Sequence, residues 1–246
     1  MKAGASLADL AGGLNAATGV LAALLARVRN GGGQRVDVSL LDATVGMLIN
    51  YSVPVIDGGV DIQPVGSGHP QLVPFQAFPS LDGWIVVAAG TNSRWRRLCE
   101  ALERPDLADD ERYRTNPGRV RNRDHLVPEL ERTLQTKTTA EWLSLFTVNG
   151  VPSAPVLTLR EAFAQPQLVG RNILRSVPHS TYGALTALVN PIQLSLTPAR
   201  VDQPPPRLGE HTRDVVIGLL GRTEAEYEQL ATEGVVADPP AGDHDE

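Results

Sequence analysis

Few residues in this chain have the means to do chemistry, and the first of them comes early. Asp9 stands in SLADLAGG, a lone carboxylate at the head of an Ala- and Leu-rich run, with Gly12 and Gly13 close behind. A carboxylate in the first turn of a helix is favoured as the anion by the macrodipole and by backbone N–H groups that no helical carbonyl reaches. Two glycines remove the side chains that would keep a bulky group away from the backbone. An ionised, accessible carboxylate can attack an activated acyl group. The same residue type also serves as a plain N-terminal cap, and residue types alone leave both readings open.

The remaining motifs exclude more than they offer. No GxSxG, no Walker A sequence and no HxE…PCxxC arrangement occurs. GGLNAATG lies inside a predicted helix, whereas a dinucleotide fingerprint sits between a strand and a helix. His69, His125, His179, His211 and His244 show neither HxxH nor HExxH spacing, so no metal site is expected. The single Cys99 excludes an internal disulfide, and within RRLCEAL it reads as a buried, inert thiol. A net charge of -6 argues against nucleic acid or an anionic membrane surface as partner. Two basic clusters, Arg94, Arg96 and Arg97, then Arg119, Arg121 and Arg123, alternate with acids and read as solvated helix faces.

These residues need elements to carry them, and 246 residues, 42% of them hydrophobic, suffice for a sizeable core. The apolar run predicts a helix over 7–29 that Gly31-Gly32-Gly33 stops. Asp9, Asn15, Arg27 and three glycines make it too polar for a membrane span, and no signal-peptide pattern surrounds it. A helix buried in a cytoplasmic protein is the expectation. RVDVS alternates apolar and polar as a short strand or extended entry. Asp42 is expected to cap a second helix over 43–51 that Pro54 ends. The Gly- and Pro-rich VIDGGVDIQPVGSGHP marks a boundary.

Beyond it, two extended runs flank SLDG as a hairpin with a buried second strand over 84–89. Thr91-Asn92-Ser93 caps a helix over 94–102, and a further helix fits 124–134. Thr138 and Glu141 have capping-box spacing. VPSAPVLTL holds a short strand, and a helical turn follows at 159–164. A strand pattern returns over 175–196. Thr212 and Thr223 open two terminal helices, and the acidic tail over 237–246 reads as disordered. Trp84, Trp95 and Trp142 sit in apolar stretches and read as core. Helices alternating with strands make the fold class α/β or α+β.

ADLAGG, TGVLAALLAR and GGGQRVDVSLLDA are followed by GSGHPQLVPFQAFPSLDGWIVVAAG, RVRNRDHL, EWLSLFTVNGVPSAPV and PPPRLGEHT, an ordered set over nearly the whole chain. The set resembles the family III CoA-transferases, the group that includes formyl-CoA transferase and carnitine CoA-transferase. The resemblance implies an α/β fold of that family, here a partial large domain plus a small α/β domain, in an interlocked dimer. Residues 1–60 would be the large-domain part with the nucleophile helix, 65–180 the small domain, and 185–246 the segment returning to the large domain. It further implies that Asp9 is the covalent nucleophile and passes CoA between carboxylic acids through an aspartyl-CoA intermediate. On this basis the coenzyme A thioester is a substrate, with no permanently bound cofactor.

The formyl-CoA members carry a glycine-rich active-site loop where this chain has Gly66-Ser67-Gly68-His69-Pro70, which implies substrate contacts from Gly66, Gly68 and His69. GSGHP is not a glycine-only run, and a linker with a structural histidine is the other reading. Family members also carry a CoA-holding segment ahead of the nucleophile helix. The expected partners are therefore acyl-CoA and an acceptor acid, with either a homodimer or a heteromer with an N-terminal CoA-binding chain. A truncated reading frame and an inactive fragment or scaffolding subunit are the competing expectations. Alone, the chain would leave apolar surface on its first helix uncovered. The α-methylacyl-CoA racemases belong to the same family; the acid typical of them is expected near AAGTNSRW, where none occurs, and this favours a transferase.

Overall fold

A computed structural model describes residues 4–179, 181–201 and 203–238, so most of the tail read as disordered lies outside the described residues. The chain divides into two compact units, Met1–Pro155 and Val156–Glu246.

The first unit opens with α1 (Leu7–Asn30), which ends as expected: Gly31 takes a left-handed conformation, φ 79°, and its N–H donates to the Arg27 carbonyl. Only glycine adopts that conformation without a steric penalty. Residues 32–39 have no ladder partner and are an extended entry rather than a strand. In α2 (Leu40–Gly46) the cap is Ser39, whose hydroxyl accepts the Asp42 N–H; Asp42 lies inside the first turn and is not the cap. α3 (Ile49–Ile56) runs through Pro54 instead of stopping before it. So near the C-terminus the missing N–H removes a single helical bond, and the Pro54 carbonyl then accepts Val60 N–H in the exit turn.

α1 packs on α2. Gly12 is its one buried residue, and a Cβ there would lie 2.3 Å from Leu40 Cδ2. Several of its alanines are half-buried, but its large apolar side chains are exposed: Leu14 is 69% exposed, Leu21 67% and Val28 80%. The expectation of a buried helix therefore fails within this chain, because nothing among the described residues covers these large side chains. By length and composition α1 would also cross a bilayer, a test that core helices of soluble proteins pass equally.

The core of this unit begins at Val73. β1 (Phe75–Pro79) and β2 (Trp84–Ala88) form the predicted antiparallel hairpin, with Phe75 opposite Ala88, and β3 (Ser153–Pro155) joins the free edge of β2. The pleat buries Ile85 and Val87 and sends Trp84 to the other face, where it is 53% exposed. Trp84 is thus not core, whereas Trp95 and Trp142 are. Over the sheet lie α4 (Asn92–Ala101), α5 (Pro105–Asp109), α6 (Asn116–Arg121), α7 (Arg123–Leu134) and α8 (Thr139–Val148), which supply Leu98, Leu126, Leu130 and Phe146 to the core. Thr91 caps α4, and Thr138 and Glu141 form the reciprocal capping box.

Cys99 on α4 is buried as read from sequence, and burial pushes its thiol up to about 12. Since the thiolate is the reactive form, iodoacetamide at pH 8 should alkylate the folded protein on the order of 100-fold more slowly than the denatured chain. A folded-state rate within about tenfold of the denatured one would show that α4 opens readily.

The second unit holds α9 (Leu159–Phe163), α10 (Pro166–Gly170) and a hairpin of β4 (Leu174–His179) with β5 (Gly183–Leu188), so the strand pattern stops at Leu188. The helix expected after Thr212 is a π-helical turn, Asp214–Leu219, without a side-chain cap. α11 (Glu224–Thr232) has the expected Thr223–Glu226 capping box. Its Tyr227 is fully buried, with the Arg213 guanidinium 4.5 Å from the ring centroid.

Candidate functional site

Asp9 is the third residue of α1. The cap position belongs to Ser6, whose side chain makes no capping bond, so Asp9 is not the cap. Its side chain is exposed, and among the described residues no hydrogen bond or ion pair engages the carboxylate. Asp9, Gly12 and Gly13 share one helix face, being three and four residues apart. The two glycines differ in role. Gly12 is occupied by Leu40 and serves helix packing, while a Cβ at Gly13 would meet nothing within 4 Å. Room beside the carboxylate therefore comes from Gly13 alone. Further along, Asn15, Gly19, Asp37 and Asp42 line a groove of about 550 Å³ whose two acids disfavour an anionic ligand. A cleft of about 610 Å³ near Arg96, Glu100 and Asp109 contains none of the candidate residues.

The 66–70 loop is built onto the hairpin. Gly66 has φ +64°, a conformation that favours glycine. The Ser67 hydroxyl accepts Ala77 N–H at 3.2 Å, and His69 N–H donates to the Phe75 carbonyl at 2.8 Å. The His69 ring stacks on Phe75 with centroids 5.5 Å apart, and its Nδ1 accepts Gln71 N–H at 3.1 Å. The neutral imidazole then carries its proton on Nε2. Asp9 and this loop stand on different supports: α1 packs on α2, the loop on β1 and α7. Gly66, Gly68 and His69 come together; Asp9 is not brought to them by this chain's contacts.

Sequence reasoning missed the residues that hold the loop's stem. Asn116 donates through Nδ2 to the Gln71 carbonyl at 2.7 Å and accepts Val73 N–H at 3.1 Å. Arg119 donates through Nε to the Val73 carbonyl at 2.6 Å, through Nη1 to Tyr113 at 2.8 Å and through Nη2 to Gly90 at 2.7 Å. Its guanidinium lies 5.2 Å from the Trp95 ring centroid. Arg123 donates through Nη2 to the carbonyls of His69, at 2.5 Å, and Pro70, at 3.2 Å. The reading of this cluster as a solvated face is corrected: Arg119 is fully buried, Arg123 half-buried and only Arg121 exposed. Burial pulls the Arg119 guanidinium down to about 10, still cationic at neutral pH. A signal existed in the spacing. Residues 119, 123, 126, 130 and 134 fall three and four apart, and the last three are buried leucines.

The model of CoA-transferase family III matches residues 1–212. Succinyl-CoA:glutarate CoA-transferase of Mus musculus is 34% identical over 236 residues, 96% of this chain and 54% of that protein. Acetyl-CoA:oxalate CoA-transferase of Acetobacter aceti is 36% identical over 171 residues, covering 70% of this chain and 44% of the relative. Among solved structures, Rv3272 from Mycobacterium tuberculosis superposes with a TM-score of 0.72 at 31% identity, over 85% of this chain and 55% of that one. The chain spans about half the length of the relatives it matches.

Proposed function

The chain belongs to CoA-transferase family III, and from that premise we propose that it carries the nucleophile of a reaction that moves CoA between carboxylic acids. The observation that carries this reading is Asp9: an exposed carboxylate in the first turn of α1, without a hydrogen bond or ion pair among the described residues, with open space over Gly13. The Asp9 carboxylate attacks the thioester carbonyl of a donor acyl-CoA, forming a mixed anhydride and releasing CoA thiolate. The thiolate attacks the aspartyl carbonyl of the anhydride, which leaves an aspartyl-CoA thioester and frees the donor acid. The acceptor carboxylate then attacks that thioester, the thiolate departs again, and its attack on the acceptor acyl carbonyl regenerates Asp9. Covalent catalysis divides a difficult acid-for-acid exchange into easier steps.

The relatives named for succinyl-CoA with glutarate and for acetyl-CoA with oxalate favour short dicarboxylic acids as substrates here. Gly66, Gly68 and the Nε2–H of His69 would meet the acid. On this reading residues 1–60 and 185–246 are assigned to a large domain and 65–180 to a small one. A partner, either a second copy or a chain with the CoA-binding half, covers the leucines exposed along α1.

The test uses the protein purified from its native source with whatever it binds. Incubation with succinyl-CoA followed by hydroxylamine should convert Asp9 to a hydroxamate, located by peptide mass. A complex that exchanges CoA without labelling Asp9 would overturn the assignment.

A further inference from the structure

We propose that Arg123 is a positioning residue that sets the conformation of the 66–70 loop through main-chain carbonyls. Three observations converge on it. One nitrogen, Nη2, bridges two successive carbonyls, His69 at 2.5 Å and Pro70 at 3.2 Å, and so fixes the orientation of the peptide between them. The other, Nη1, occupies the space a side chain at position 68 would fill: a Cβ on Gly68 would lie 2.8 Å from it, and 3.0 Å from the Val65 carbonyl. Finally, among the described residues no carboxylate pairs with Arg123, so its charge is committed to the carbonyl dipoles. One terminal nitrogen serves both carbonyls while the other fills the space over Gly68, and a lysine ammonium has no second nitrogen for that place.

Arg123 Nη1 shares the space over Gly68 with the Val65 carbonyl at 3.0 Å and Gln76 Oε1 at 3.3 Å, a packing role separate from any contact with substrate. With Arg123 in place, the amides of Gly68, His69 and Gln71 are all hydrogen-bonded, to the Val65 carbonyl, the Phe75 carbonyl and His69 Nδ1. His69 is then held against Phe75 with Nε2 as its other polar atom. The consequence for turnover rests on the CoA-transfer reading; the consequence for the loop does not.

Amide hydrogen exchange on the natively purified protein separates the two. In Arg123→Met the amides of Gly68, His69 and Gln71 should exchange about tenfold faster or more, while those of Leu126, Leu130 and Leu134 keep their protection. Gly68→Ala should loosen the same amides in the parent protein and do so less in the Arg123→Met background, where only the contacts with the Val65 carbonyl and Gln76 Oε1 remain. Arg123→Lys should restore protection only in part, and it gives a reading if the methionine variant fails to fold. Loop amides within about twofold of the parent, or additive effects of the two substitutions, would overturn the proposal. Where the parent exchanges CoA, Arg123→Met should lower kcat more than it raises KM for the acceptor acid, and an unchanged kcat overturns a role in turnover. If the loop loosens but the parent shows no CoA exchange, the CoA-transfer reading falls and the positioning of the loop stands.

Discussion

Asp9→Ala is expected to lower CoA exchange by a factor on the order of 10³ or more. The fold should not notice. Asp9 is exposed and makes no hydrogen bond among the described residues, so truncation leaves no buried group unpaired. Losing a negative charge from the first turn costs about 0.3–1 kcal/mol, and alanine's better helix propensity returns about half of one. The unfolding midpoint should therefore move by no more than a few degrees. Asp9→Glu keeps the charge but displaces it by one methylene, and an intermediate rate is expected because the attack requires a defined approach. A loss of less than about tenfold in Asp9→Ala would remove the residue from the role of nucleophile. Solvent deuterium appearing at the α-carbon of a branched acyl-CoA without net CoA movement would point to the racemase alternative instead.

Local signals were legible wherever the chemistry is local. The left-handed stop at Gly31, the SLDG hairpin and the Thr138–Glu141 box each depend on a few neighbouring residues, and each forms as read. Asp9 was visible for the same reason, as an acid at a helix start. Readings failed where tertiary context decides. Trp84 is apolar and in a strand, but the pleat puts it on the face that the core does not reach. α1 is rich in alanine and leucine, yet periodicity records the need for burial and not what supplies it. Ser39 took the cap from Asp42 because the helix begins three residues earlier than the apolar run suggested. The basic run RVRNR looked solvated because arginines usually are, while its partners are carbonyls 29 and 46 residues away in sequence.

Those distant carbonyls make Arg119 the position where substitution should cost the most stability. Arg119→Met retains volume and the contact with Trp95, but it strips donors from the carbonyls of Val73, Gly90 and Tyr113, which belong to three separate segments. A buried acceptor left unsatisfied costs about 1–3 kcal/mol, so three of them outweigh the relief of no longer burying a charge. A net loss of about 3 kcal/mol is expected, read as a lower urea midpoint at unchanged slope. Arg119→Lys should fare little better, because one ammonium cannot reach three carbonyls set around a planar fork. The loss should not vary with pH across the neutral range: the folded-state value near 10 lies below the ordinary guanidinium value, so the group is protonated in both states until well above neutrality. Stability rises with pH only above that value, as the folded state releases its proton first. A loss below about 1 kcal/mol would mean that water takes the guanidinium's place among the three carbonyls. The stem at Val73 would then keep its place without Arg119, held by Asn116 on one side of the 66–70 loop while Arg123 holds the carbonyls of His69 and Pro70.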